Sequence, residues 1–135
     1  MMKADSVSLT VPSIVGVPGG KTSITEVSIP WRGWSRGGVS GLATRLLEGS
    51  GVIIRHLQAD AGEWHSPANK QLLVVLAGYG EVEAGDGGVL SLSPGSVFLM
   101  DHQGSEGHFN RTLGPSGLVV AFLPLNEDTD VAAPA

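Results

Sequence analysis

Residues 71–100 read QLLVVLAGYGEVEAGDGGVLSLSPGSVFLM, and their order decides the fold class. From Gln71 to Leu76 the chain is a β-prone run that is apolar on both faces, the pattern of a strand held between packed layers. Gln71 opens that strand as its only polar side chain. Ala77-Gly78-Tyr79-Gly80 reads as a loop. Glu81-Val82-Glu83-Ala84 then alternates with period two, Gly85-Asp86-Gly87-Gly88 supplies a hairpin turn, and Val89-Leu90-Ser91-Leu92 returns. After the turn Ser93-Pro94-Gly95-Ser96 comes a second buried strand, Val97 to Met100. Short strands closed by glycine turns predict an all-β domain, a jelly-roll sandwich or barrel.

The flanks extend this pattern. Val7 to Val11 and Thr22 to Ile29 are β-prone, the second with half-buried alternation. Residues 1–25 are expected to form an arm and the first strands, tied to the sheet edge or to another subunit. Trp31 and Trp34 lie with Arg32 and Arg36 in a glycine-rich stretch, read as a long loop whose rings cap the core or line a pocket mouth. Gly41 to Leu47 is expected to make one helical turn. Val52 to Leu57 is a strand with Ile54 and His56 on one face and Arg55 and Leu57 on the other; His56 reads as solvated or core-capping. Asp60 to Glu63 is a turn-rich approach to Trp64-His65. Leu118 to Leu125 is the last strand, which gives a barrel over residues 26–125 and a flexible tail over 126–135.

Composition excludes several function classes. With 135 residues there is length for one domain and one core. Twenty glycines and eight prolines fit many tight turns. A formal charge of -5 with scattered basic residues argues against nucleic acid as a partner. No apolar run is long enough for a membrane-spanning helix. The absence of cysteine removes disulfides and thiolate metal ligands. Met1 to Asp5 lacks the apolar core of a signal peptide, so a cytoplasmic location is the expectation.

Three of the four histidines, His65, His102 and His108, fall at the ends of the two apolar strands. The order of polar residues here resembles the cupins, whose first motif is His-x-His, three or four residues, Glu, six residues, Gly, and whose second is Gly, five residues, Pro-x-Gly, two residues, His. His65 takes the place of the first histidine, Gln71 that of the glutamate, and Gly78 follows after six residues. Gly95 opens the second motif, and His108 closes it through a loop two residues longer than the pattern. Pro67 stands for the second histidine, Gln71 for the acidic ligand, and Asp101-His102-Gln103 for Pro-x-Gly. Trp64-His65, Gln71 and Ser105-Glu106-Gly107-His108 are similar to a branch of small single-domain bacterial cupins in which position 102 is commonly acidic.

The resemblance implies a cupin-type jelly-roll barrel (double-stranded β-helix), a homodimer, and a small-molecule substrate. It also implies a ligand set of His65, Gln71, His102 and His108 for one divalent ion, zinc, iron, nickel or copper, which would polarise a carbonyl or activate water. Without a metal, the same four residues are the expected catalytic groups: histidines exchange protons near neutrality, and Gln71 donates its amide to an oxyanion. Trp64 and Phe109 are expected to wall the substrate, Tyr79 to donate a proton or to pack its ring on the sheet, and Arg111 to grip a carboxylate or to lie exposed. The expected activity is non-redox lyase, isomerase or cyclase chemistry, with a metal-dependent iron oxygenase and a non-catalytic ligand-binding barrel as the alternatives.

Overall fold

The computed structural model describes residues 2–58 and 64–134. The turn expected at Asp60 to Glu63 lies outside the described residues. Those residues form ten strands and no helix: β1 (Lys3–Ala4), β2 (Ser8–Gly16), β3 (Thr22–Pro30), β4 (Arg32–Arg36), β5 (Val39–Ala43), β6 (Ile53–Leu57), β7 (Gln71–Ala84), β8 (Val89–Leu92), β9 (Val97–Asp101) and β10 (His108–Pro124). Eight of them make one curled sheet, consistent with a β-barrel, in the order β1-β2-β9-β7-β10-β6, with β3 on β2 and β8 on β7. The all-β expectation therefore holds.

Two long strands organise the sheet. Along one edge β7 pairs with β10 over nearly its full length, and along its other edge with β9 (Gln71↔Met100) and then β8 (Gly80↔Leu92). The hairpin at Gly85 to Gly88 forms as read from the sequence. Ala77 to Gly80 is not a loop, because β10 runs beside it and completes its ladder. The irregularity falls instead on the partner, where the register shifts between Leu113 and Leu118. Gly78 carries the close approach at this point: it has φ +86°, and a Cβ there would lie 2.1 Å from Gly117 O.

Strand alternation divides the apolar residues between two faces. On the inner face Ile14, Leu73, Val75, Val82, Phe98, Met100, Val120 and Phe122 pack into one cluster. On the outer face Val11, Ile29, Leu99, Leu125 and Val131 form a second, with Leu47 and Leu72 against it. Leu72 and Leu73 thus face opposite ways, which is why that run is apolar throughout. Residues 126–131, read as tail, lie against the outer cluster: Val131 is buried, and Thr129 donates its hydroxyl to Glu48 O at 2.9 Å. β2 is integral to the sheet, paired with β3 and, in parallel, with β9.

The helical turn expected over Gly41 to Leu47 is replaced by a ribbon. Arg36-Gly37-Gly38-Val39 closes a hairpin in which both glycines have positive φ, +59° and +79°, the backbone a two-residue hairpin loop demands. Trp34, Val39 and Leu42 on this ribbon are exposed, so the tryptophan caps no core. Two-stranded ribbons are marginal alone; this one is continuous at its first end with β3.

Candidate functional site

Loop 102–107 connects β9 to β10 and sets two histidines six residues apart. Ser105 shapes it: its hydroxyl donates to His102 O at 2.6 Å and accepts from Gly107 N at 3.1 Å. Buried Thr22 fixes the far end, donating to Gly107 O and accepting from Gly85 N, each at 2.7 Å. His65 is joined to His108 by an isolated antiparallel bridge, with His65 N to His108 O at 3.2 Å and His108 N to His65 O at 2.9 Å. Gly107 makes that bridge possible. Its φ is +94°, and a Cβ on it would lie 2.1 Å from His65 O.

The three imidazoles meet. His65 and His108 have ring centroids 4.5 Å apart, and His102 and His108 4.9 Å apart, nearly edge to face. His102 and His108 are each only 2% exposed. His102 Nδ1 lies 3.2 Å from Ile14 O, and its Nε2 lies 2.7 Å from His108 Nδ1. A carbonyl only accepts, so His102 Nδ1 carries the proton. Burial pushes the pKa of His102 down, which keeps the ring neutral and leaves its Nε2 as an acceptor. His108 Nδ1 therefore donates, and its lone pair sits on Nε2. Burial, then the neighbouring His102 and His65, push His108 down to about 3. The result is a directed chain, His108 to His102 to Ile14 O, that fixes one tautomer of His108.

A cavity of about 380 Å³ adjoins this chain, lined among others by His65, His108, Asn110, Gln71, Arg55 and Phe122. Gln71 enters from the first position of β7, its amide nitrogen 4.0 Å from Met100 Sδ. His108 and Asn110 share a face of β10 by alternation. Another cleft, about 410 Å³, lies by the Ser93 to Ser96 turn; Met2, Pro12, Leu90 and Phe98 help line it, and no titratable side chain does among the described residues. The titratable side chains His65 and His108 border the first of these two cavities.

The remaining predicted contacts do not reach this cavity. Phe109 and Arg111 alternate with His108 and Asn110 and so face outward. Trp64 packs on Phe109 with ring centroids 5.7 Å apart, and Arg111 lies 4.7 Å over the same ring. Arg111 is engaged by Glu83 at 2.7 Å and Glu81 at 3.4 Å, and it is not among the described residues that line the cavity. Tyr79 is 60% exposed on β7, opposite Leu113. His56 is exposed, its Nε2 3.1 Å from Ser116 O. Arg55 and Asn110 were not singled out from the sequence as site residues; period-two counting from Leu57 and His108 is the signal that finds them.

The ligand set implied by the cupin resemblance fits only in part. His65, His108 and Gln71 border the cavity, but both nitrogens of His102 are committed to Ile14 O and His108. His102 is thus an orienting partner of His108 rather than a third ligand. No group of three or more His, Asp or Glu suited to a metal ion occurs among the described residues. No protein-family model matches the chain, and no curated protein matches it.

Proposed function

We propose that the chain is a cupin-type jelly-roll enzyme that moves a proton on a small organic molecule, in non-redox lyase, isomerase or cyclase chemistry. One observation supports this reading above the others: the chain from Ile14 O through His102 to His108 ends in an oriented imidazole on a cavity wall, beside the imidazole of His65. A histidine that only fills a core needs no second buried histidine to select its tautomer. His108, held neutral by burial, presents a fixed lone pair that accepts a substrate O–H and sets its orientation. His65 takes a proton from the carbon beside a substrate carbonyl. The electron pair moves onto the carbonyl oxygen, where the amides of Gln71 and Asn110 offer N–H donors. Return of the proton to a different carbon isomerises the substrate; departure of a group from the neighbouring carbon makes the reaction an elimination.

Deuterium wash-in tests this directly. A panel of small keto and hydroxy acids is incubated with the protein in D2O, with and without added zinc, iron, nickel or copper, and C–H signals are followed by NMR. Exchange or conversion is expected with at least one member. General acid-base groups contribute about 10²–10⁴-fold, so His65→Ala is expected to slow it by that factor and His108→Ala by a comparable one. No exchange with any member, or exchange that survives both substitutions, overturns the proposal.

A further inference from the structure

Arg55 is the one permanently charged side chain among the described residues lining the histidine cavity. On β6 the residues Ile53, Arg55 and Leu57 share a face, and all three border that cavity. Their partners on β10 are Phe122, Val120 and Leu118, all members of the inner cluster. Arg55 is thus a solvent-exposed arginine on the cavity-lining face of the edge strand β6. Its guanidinium carbon lies 4.4 Å from the centroid of the Phe122 ring. That ring holds the cation in place but offers no oxygen to its five N–H donors. Ion pairs among the described residues join Lys21 to Glu106 and Arg111 to Glu81 and Glu83, and none uses Arg55. The described lining contains no Asp or Glu, although the chain as a whole has a net charge of -5. Arg55 is therefore the one fixed charge among the described lining residues of this cavity.

We infer that Arg55 anchors a carboxylate of the ligand, so that the histidine cavity takes a small monoanionic organic acid. The inference rests on the reading of this cavity as the substrate site. A planar carboxylate matches the guanidinium fork by two parallel hydrogen bonds. One fixed cation balances one negative charge, whereas a phosphate dianion would keep an unbalanced charge against apolar Ile53, Leu57 and Phe122. The volume, about 380 Å³, lies at the small end of the range for ligand pockets, roughly 300–1,000 Å³. Anchoring the acid at Arg55 also orients the rest of the molecule, which leaves His65 and His108 to meet its reacting carbon and hydroxyl.

Binding separates this inference from the catalytic reading. Benzoate and 2-hydroxybutanoate are titrated against benzamide, 2-hydroxybutanamide and inorganic phosphate, with NMR shifts of the Arg55 side-chain N–H and the Phe122 ring as the readout. Each acid is expected to bind at least tenfold tighter than its amide and tighter than phosphate. Arg55→Gln is expected to erase that preference, and Arg55→Lys to retain part of it, since a point charge attracts the acid without the fork. Arg55 is exposed, and unchanged melting temperatures verify that both variants are folded. His65→Ala is expected to keep the preference for acids while losing deuterium wash-in. Equal binding of acid and amide, preferred binding of phosphate, or an Arg55→Gln variant that still selects acids overturns the inference. Acid binding that depends on Arg55 without any wash-in would overturn the catalytic reading and leave this one standing.

Discussion

Replacing His102 by leucine removes both of its hydrogen bonds while keeping a side chain of similar size in a site that is only 2% exposed. His108 Nδ1–H, which donates to His102 Nε2 at 2.7 Å, is then stranded in a dry environment; an unsatisfied buried donor costs about 1–3 kcal/mol. Ile14 O loses a partner as well, for a further cost of about 0.5–1.5 kcal/mol. Burying leucine in place of a polar ring returns roughly 1–2 kcal/mol, so the middle of these ranges leaves a net loss of about 1.5 kcal/mol. For a chain of this length that lowers the melting temperature by roughly 4–8 °C. The more discriminating readout is the nitrogen spectrum. In the native protein both His102 and His108 are expected to be protonated on Nδ1 with an unprotonated Nε2, and His102→Leu frees His108 to change tautomer. His102→Gln, whose amide accepts from His108 and donates to Ile14 O, is expected to recover part of both stability and tautomer. A native His108 protonated on Nε2, or a leucine variant with unchanged melting temperature and unchanged His108 nitrogens, would refute the directed chain.

Two other perturbations read the same assembly. With His108 near 3 when folded and near the ordinary 6.5 when unfolded, the unfolded chain binds more protons between those values, so stability is full above about pH 6.5 and falls as pH drops toward 3. The slope is about 1.4 kcal/mol per pH unit for each such histidine. His102 acts with the same sign, and urea midpoints measured from pH 8 to pH 4 should fall accordingly, less steeply in His108→Gln; parallel curves for the two proteins would contradict it. Gly107→Ala places a methyl group 2.1 Å from His65 O at φ +94° and should cost about 3 kcal/mol or more. Gly104→Ala, at φ +75° with open space around it, should cost about 1 kcal/mol; equal midpoint shifts would show that the backbone bridge is unimportant.

The β7–β8 hairpin and the two-faced apolar strand were legible because both are written in local period and turn chemistry. Gln71, His65, His102 and His108 were legible as a group because they flank those strands. The roles within the group were not. His102 looks like an extra ligand until the parallel pairing of β2 with β9 brings Ile14 O to its Nδ1; nothing near position 102 encodes that partner. Phe109 and Arg111 could have been excluded, because period two from a buried His108 puts both on the opposite face, beside Glu81 and Glu83. Gly37-Gly38 likewise carried a hairpin signal that outweighs the weak helical pattern of the residues after it. Arg55 had its parity right from the sequence, with Leu57, but which side of β6 faces the interior is fixed only by its pairing with β10.

The histidine chain ends on a main-chain oxygen, and that has a consequence for how the site is inherited. No substitution at position 14 deletes the terminal acceptor, since every residue supplies a carbonyl there. A point change can enlarge or shrink the side chain of Ile14, yet the polarity of the chain survives as long as β2 keeps its register with β9. Sequence drift along β2 therefore leaves the tautomer of His108 intact, while a single inserted or deleted residue between Gly16 and Thr22, which shifts no side chain of the cavity, is also harmless if the strands realign. An insertion within β2 itself is different: it changes no residue that touches the cavity, and it still moves Ile14 O away from His102. The heritable unit at this end of the site is an alignment of two strands, not an amino acid.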